Sequence, residues 1–362
     1  MLRVGMLTSG GDCQGLNAAM RGVAKTLFEQ YDEVEVFGYL DGYKGLMLGD
    51  YRLMNSSDFS GILTLGGTIL GTSRQSWRDL DEPLFPDSDE TRIEAMIRNY
   101  NAHELDVLVV LGGNGTHKSA LRLSQAGLNI ITLPKTIDKD IFATEMTFGF
   151  SSAVDIATSV VDGIHTTATS HGRVFIIEVM GNKAGWLTLH SGIAGGADII
   201  LLPEIPYDLN SVHYALEKRN HEGKRFSIIA MAEGAKSTKD SELSGSDFEA
   251  LLVEGGFPSP AYKLADELNK MMAQEVRVTV PGHYQRGGSP VPADRVFATL
   301  CGAHAAELIR DKKYGRSVVQ IDNEVTSLPI EEVAHKSNFV PRDNNLIKAG
   351  RTMGISFGDE LL

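Results

Sequence analysis

The chain has 362 residues, 42% hydrophobic and 22% charged, proportions ordinary for a globular protein and a length that suits two domains. A net charge of −13 argues against general nucleic-acid binding, which wants a basic face, and means that any anionic ligand must be captured by a local cluster of cations. Two cysteines, Cys13 and Cys301, argue against a disulfide framework and fit a reducing compartment, and no apolar run is long enough to span a bilayer, so no membrane partner is expected.

Met1-Leu2-Arg3-Val4-Gly5 runs straight into a strand pattern without the layout of a secretory signal, so a cytoplasmic protein is expected. Apolar, β-branched runs then recur, each ending in a polar or Gly-rich stretch. They are Val4 to Leu7, Leu105 to Leu111, Ile130 to Leu133, Val174 to Val179, Ile199 to Leu202, Phe226 to Met231 and Val276 to Val280. Helix-period segments lie between several of them. Met20, Val23, Ala24, Leu27 and Phe28 share one helical face, and a second helix runs from Thr116 to a stop at Gly127. Strands alternating with helices predict an α/β fold with parallel sheets covered on both faces and ligands beyond the carboxyl ends of the strands. The stretch from Ala235 to Ser259, rich in Ser, Gly and Asp, reads as a surface insertion.

The unusual residues fall at those strand ends. Thr8 to Asn17, with Gly10, Gly11 and Gly15, follows the first strand and opens the first helix. Gly112-Gly113-Asn114-Gly115-Thr116 repeats the arrangement after the strand ending at Leu111. Such turns offer backbone N–H groups to phosphate at a helix N-terminus, and glycines let the backbone approach closely. Gly66 to Arg74 ends in an arginine able to reach a phosphate. Leu133 to Asp140 places Lys135, Thr136, Asp138 and Asp140 within six residues after a buried strand. Phosphoryl transfer to an alcohol needs a carboxylate to accept the hydroxyl proton and cations to hold phosphate. Arg277, His283 and Arg286 are three donors suited to a phosphate monoester, and Glu233 can accept bonds from sugar hydroxyls. No Cys/His metal motif and no nucleophilic triad is present, so the metal expected is Mg²⁺ carried with phosphates.

Taken together, Gly-Gly-Asp near the start, Leu-Gly-Thr-Ser-Arg, Gly-Gly-x-Gly-Thr, Pro-x-Thr-Ile-Asp-x-Asp, Glu-Val-Met-Gly and Gly-His-x-Gln-Arg-Gly-Gly-Ser-Pro resemble the 6-phosphofructokinase family from about Leu2 to Gly315. The resemblance implies two doubly wound parallel-sheet domains with the active site in the cleft between them. It implies a donor domain of 1–140 plus about 287–345, a sugar-phosphate domain of 141–286 and a tail of 346–362. The reaction implied is ATP-dependent phosphorylation of fructose 6-phosphate on its 1-hydroxyl, in glycolysis. Asp138 then matches the proton acceptor, Asp140 the second active-site aspartate and Thr136 a sugar-binding residue. Gly11, Arg74, Gln75, Gly113, Asn114, Gly115, Thr116 and Lys135 match the donor site, and Asn114 the metal position. Thr136, Ile137, Asp138, Met180, Gly181, Asn182, Glu233, His283, Tyr284, Gln285 and Arg286 match sugar-phosphate contacts. Arg173 and Arg277 match arginines that reach the 6-phosphate from a neighbouring subunit, so the expected assembly is a homodimer or homotetramer with shared sites.

The family divides between ATP and pyrophosphate as donor. Gly115 stands where ATP users have glycine, leaving room for the nucleotide, whereas Lys135 stands where pyrophosphate users have lysine. The reading favours ATP in a chain that resembles the mixed, pyrophosphate-like branch. A pyrophosphate-dependent enzyme, or a kinase of another sugar phosphate, is the alternative. Asn114, Lys139 and Asn182 depart from the family's aspartate, asparagine and arginine. His165 stands where allosteric members carry an effector-binding arginine, so weak or absent nucleoside-diphosphate activation is expected.

Overall fold

The computed structural model describes residues 1–360. In chain order its elements are β1 (Leu2–Ser9), α1 (Leu16–Gln30), β2 (Val34–Tyr39), α2 (Tyr43–Leu48), β3 (Tyr51–Met54), α3 (Arg92–Ala102), β4 (Val107–Gly112), α4 (Asn114–Gln125), β5 (Ile130–Thr136), β6 (Phe148–Gly149) and α5 (Phe150–His171). There follow β7 (Val174–Val179), α6 (Trp186–Ala194), β8 (Ile199–Leu201), α7 (Leu209–His221), β9 (Ser227–Ala232), α8 (Gly245–Glu254), α9 (Pro260–Asn269) and β10 (Val276–Thr279). Last come α10 (Pro292–Arg310), β11 (Arg316–Ile321), β12 (Glu324–Pro329), α11 (Ile330–Ala334) and α12 (Asn345–Thr352). All seven apolar runs are strands.

The chain forms two compact units. The first holds Met1–Ser152 and Arg286–Asn338, and the second holds Ala153–Gln285 with the chain from Phe339 on. The first unit's sheet runs β12-β11-β5-β4-β1-β2-β3, with β6 beside β5. β1 pairs in parallel with both β2 and β4. The chain leaves β1 toward β2 on one side and reaches β4 on the other, so the loops after β1 and β4 diverge at a switch point. One face carries α2, α3, α4 and α11 over Leu7, Leu108, Val110 and Ile130. The alternate residues Val107, Val109, Leu111 and Ile131 are also buried and face the other way. Helices α1 and α10 pack together so closely that a Cβ on Gly22 or Gly302 would strike the other helix's backbone.

The second unit's sheet runs β10-β7-β9-β8, all parallel. Its switch point lies between β7 and β10, which brings the loops after those two strands together. Two expectations change here. The stretch from 346 is no free tail: α12 buries Ile347 and Gly350, Gly350 lies against Phe357 and Ile193, and Ser356 bridges to Ile199 beside β8. The tail's last two residues, 361 and 362, lie outside the described residues. The Ala235–Ser259 stretch lies mostly at the surface, but it is not all loop. It contains α8, which buries Phe248 and Leu252, and Asp240 is buried against Lys263 at 2.8 Å. The few residues that do the burying are outnumbered by Ser, Gly and Asp.

Candidate active site

The first unit's switch point gathers the Gly-rich segments. Gly10 N–H donates to the Ser73 carbonyl (3.0 Å), Thr72 Oγ1 donates to the Gly10 carbonyl (2.7 Å), and Thr8 Oγ1 donates to the Gly71 carbonyl (2.7 Å). These bonds lace Gly66–Arg74 to the end of β1 and set Arg74 and Gln75 at its edge. Gly113 caps α4, whose first turn opens at the end of β4 with no acidic side chain. The first-turn N–H groups and the helix dipole there favour an anion. A Cβ on Gly115 would meet no atom within 4 Å. Thr116 is buried and its Oγ1 lies 3.4 Å from the Ser9 carbonyl, tying the two loops together.

Lys135, on β5, is buried, and its Nζ donates to the Gly11 carbonyl. Burial draws its pKa below the usual lysine value, and Arg286 pushes the same way. Arg286 itself lies against Gly11: a Cβ there would collide with the guanidinium, so only glycine admits this approach. Arg286 Nε is buried without a hydrogen-bond partner. Sequence reasoning grouped Arg286 with the sugar contacts; its guanidinium lies beside Gly11 of the donor set. Two cations thus converge on one glycine, the local cluster that an acidic chain needs for phosphate.

The Thr136–Asp140 loop continues from β5. Thr136 Oγ1 accepts from the Asp138 N–H (3.0 Å), and the Thr136 carbonyl accepts from Thr147 Oγ1 (2.8 Å). Ile137 is buried, so only its backbone can face a ligand. Asp140 is clamped: Asn114 Nδ2 donates to its carbonyl (2.9 Å) and to its carboxylate (2.8 Å). Burial raises the Asp140 carboxyl above its ordinary range, and the Asn114 bond opposes that rise. Lys139 has φ +53°, an uncommon state for a side chain of its size, and its Nζ sits 5.2 Å from the Phe150 ring centre.

In the second unit, Met180, Gly181 and Asn182 follow β7 and Glu233 follows β9. Glu233 Oε1 accepts from the N–H of Gly181 (3.2 Å) and of Asn182 (2.7 Å), so it shapes the loop that sequence reasoning expected it to join at the sugar. Gln285 is buried; it accepts from the Met180 N–H (3.3 Å) and donates to the Gly282 carbonyl (3.1 Å). That is a positioning role, which ties together the two switch-point loops. Tyr284 is 72% exposed and His283 is exposed as well. Arg173 and Arg277 share the Glu275 carboxylate, with Arg173 Nε 2.5 Å from it. Arg173 precedes β7, at the end opposite Met180–Asn182, and Arg277 lies in the neighbouring edge strand beside Phe175.

The sequence model of the family described as Phosphofructokinase matches residues 3–309. The chain belongs to the phosphofructokinase family. A relative from Spirochaeta thermophila, called ATP-dependent 6-phosphofructokinase, is 51% identical over 98% of this chain and 97% of its own length. One of the same name from Propionibacterium freudenreichii is 44% identical over 99% of this chain and 100% of its own. The fold matches a solved phosphofructokinase of Saccharomyces cerevisiae with a TM-score of 0.74 and 30% identity, over 92% of this chain and 45% of that one. A pyrophosphate-dependent phosphofructokinase from Nitrosospira multiformis has a TM-score of 0.80 at 19% identity over 99% of this chain and 92% of that one, a likeness of fold alone.

Some residues that hold the family's motifs in place escaped sequence reasoning. His117, one helical turn beyond Gly113, contacts the Gly113 carbonyl (3.0 Å) and Ser317 Oγ on β11 (3.2 Å). Burial lowers its pKa to about 4, so it is neutral at pH 7 and acts as a brace. Asn338 N–H donates to the Asp140 carbonyl (2.8 Å) and its Nδ2 donates to the Lys139 carbonyl (3.0 Å), while Ser337 bridges to Ile141. Only a His one turn after the glycines could have pointed to the first. Nothing in the sequence marks the second.

Proposed function

We propose that this protein is an ATP-dependent 6-phosphofructokinase, transferring a phosphoryl group to the 1-hydroxyl of fructose 6-phosphate in the glycolytic direction. The observation that carries the reading is the first unit's cluster: Lys135 and Arg286 at Gly11, the open first turn of α4, and Asp138 on the loop after β5. The relatives named above, matched over nearly their full lengths, support ATP as donor. Gly115 supports it physically, because the open space beside its Cα is room for a nucleotide that a side chain would fill.

In this reading Gly11, Gly113 to Thr116, Arg74 and Lys135 hold the donor phosphates, with Gln75 beside them. Arg286 neutralises charge near Gly11, and Asp138 takes the proton from the sugar hydroxyl. Thr136 shapes the loop that aims Asp138, and Asp140 anchors it through Asn114. Met180 to Asn182, Glu233, His283 and the backbone of Ile137 serve the sugar. Magnesium fits as an ion that arrives with the donor. Among the described residues no three His, Cys, Asp or Glu side chains form a cluster able to hold a metal. Asp140 and Asn114 lie side by side, and Asn114 Oδ1 is buried without a hydrogen-bond partner. An ion that keeps most of its waters needs few protein oxygens, and it would supply charge neutralisation on the transferred phosphate. Among the described residues no helix is long and apolar enough to cross a membrane. We place the protein in the cytoplasm as a homodimer or homotetramer.

The test is kcat/KM with ATP and with pyrophosphate, for the parent and for Gly115→Asp. ATP should be the better donor for the parent. Gly115→Asp should cut ATP use far more than pyrophosphate use, because the new carboxylate meets the nucleotide's phosphates at close range. A parent that prefers pyrophosphate, or an unchanged ATP rate in the variant, would sink the ATP assignment.

A further inference from the structure

The chain passes from the first unit to the second between Asn338 and Phe339, beyond Gly315, where the sequence motifs stop. On the first-unit side this segment runs antiparallel to the loop that carries Asp138 and Asp140. Ser337 bridges to Ile141, and Asn338 N–H donates to the Asp140 carbonyl (2.8 Å). Asn338 Nδ2 donates to the Lys139 carbonyl (3.0 Å), and Lys336 Nζ sits 4.7 Å from the Phe142 ring centre. Lys139 has φ +53° and lacks glycine's freedom, so its backbone needs a hold of this kind.

On the second-unit side the segment is held by Glu204. Glu204 Oε1 accepts from Val340 N–H (2.9 Å), and the Glu204 carbonyl accepts from Arg342 Nε (3.0 Å). The same Oε1 accepts from Gly185 N–H (2.9 Å), which opens α6 at the end of the loop begun by Met180–Asn182. Ala184 N–H donates to the Gly181 carbonyl (3.0 Å) and closes that loop into a turn. Glu204 Oε2 is buried without a hydrogen-bond partner, and a Cβ on Gly185 would come within 2.7 Å of it. The anchors Asn338 and Val340 are joined by at most about 7 Å of extended chain, which leaves little slack.

We propose that residues 337–342 are a strap that couples the loop of the proton acceptor to the sugar loop. Asn338 is the positioning residue for Asp138 and Glu204 the positioning residue for Met180–Asn182, and each acts on the other's loop through the strap. This rests on the phosphofructokinase reading above and deepens it.

The experiment is a double-mutant cycle with Asn338→Ala and Glu204→Ala in the full chain. It is read by steady-state kinetics with ATP and fructose 6-phosphate and, without substrates, by hydrogen exchange of the 136–141 amides. Asn338→Ala should lower kcat about tenfold and leave the sugar KM within about twofold, because a small misplacement of a base is costly. Glu204→Ala should lower kcat by a similar factor and raise the sugar KM about fivefold. It should also speed exchange at 136–141, although its own bonds run to Gly185, Val340 and Arg342. The double variant should lose no more kcat than Glu204→Ala alone, since both changes release one strap. Glu204→Gln keeps an acceptor oxygen and should stay within about threefold of the parent. If Glu204→Ala does not fold, Arg342→Ala, at an exposed position, replaces it and should show the faster exchange with a smaller fall in kcat. Losses of kcat that multiply in the double variant overturn the strap, and so does exchange at 136–141 that ignores removal of the Glu204 anchor. A parent that transfers no phosphoryl group to fructose 6-phosphate, while its exchange responds as described, overturns the function reading and leaves the coupling standing.

Discussion

Asp138 and Asp140 stand two residues apart in different surroundings, which suits the two roles proposed for them. Asp140 is mostly buried, and burial disfavours its charged form while the Asn114 amide holds it in place. Asp138 is partly exposed, and its N–H is anchored on Thr136 Oγ1, so the backbone that aims it is fixed. A general base needs that combination of a held backbone and a reachable carboxylate. Asp138→Asn keeps size and polarity but removes the proton acceptor. Its kcat should fall by about 10² to 10⁴, the usual scale for a positioned base, while the sugar KM stays within a few-fold. Steady-state kinetics with saturating donor checks this, and a kcat within a few-fold of the parent would remove Asp138 from the role. Lys135 shows how burial and function combine at one position: it sits in the core end of β5, yet its ammonium reaches the Gly11 carbonyl. Nothing in Leu133 to Asp140 said where that ammonium would land, because the partner is in the loop after another strand.

At the scale of elements, α5 opens under unusual control. Asp294, in the first turn of α10, accepts from Ser152 N–H (2.7 Å) and Ser152 Oγ (2.6 Å), so one buried carboxylate serves the N-termini of two helices. Asp294→Ala leaves those donors buried and unmatched and should cost about 2 to 4 kcal/mol in urea unfolding. Asp294→Asn keeps an acceptor and should cost less than half as much. Burial is the main influence on the Asp294 carboxyl and holds it above its ordinary range, with Ser152 opposing. A raised folded pKa means that folding favours the protonated form, so this group's contribution grows as pH falls from neutral toward the ordinary carboxylate range. The stability gap between the parent and Asp294→Asn should therefore widen over that window; a narrowing gap would refute the assignment. Such capping across the fold was invisible beforehand. Six of the seven parallel strands were legible because strands buried on both faces read as apolar runs, and the edge strand β10 by its alternating valines. The β11–β12 hairpin was missed although its turn carries a usable signal, Asp322-Asn323, both with positive φ, a pattern favoured in two-residue hairpins. The α8 region misled because its many Ser, Gly and Asp residues signal a loop more loudly than Phe248 and Leu252 signal a helix.

Over the whole molecule, the site was legible where chemistry follows directly after a strand, as in Gly112–Thr116 and Thr136–Asp140. It was illegible where the contact joins distant segments, as with His117 and Ser317, 200 positions apart. The same distinction bears on assembly. Arg173 and Arg277 lie at one end of the second unit's sheet and Met180–Asn182 at the other, separated by the six residues of β7. At about 3.3 Å per residue that is roughly 20 Å, more than a hexose phosphate spans. In the proposed reading, a sugar bound at the Met180 loop therefore takes its phosphate contact from the arginine pair of a second copy. Arg277→Ala should raise the sugar KM at least about tenfold, since a charge-assisted bond to phosphate is lost. Mixed with Asp138→Asn and allowed to exchange subunits, it should recover activity. In a mixed dimer one site combines the intact Asp138 of one copy with the intact Arg277 of the other, while the second site lacks both. Random pairing at equal amounts makes half the dimers mixed, so about a quarter of all sites become complete. Activity that stays at the level of the separate variants after exchange is verified, or a fully active monomer on a sizing column, would show that each chain completes its own site.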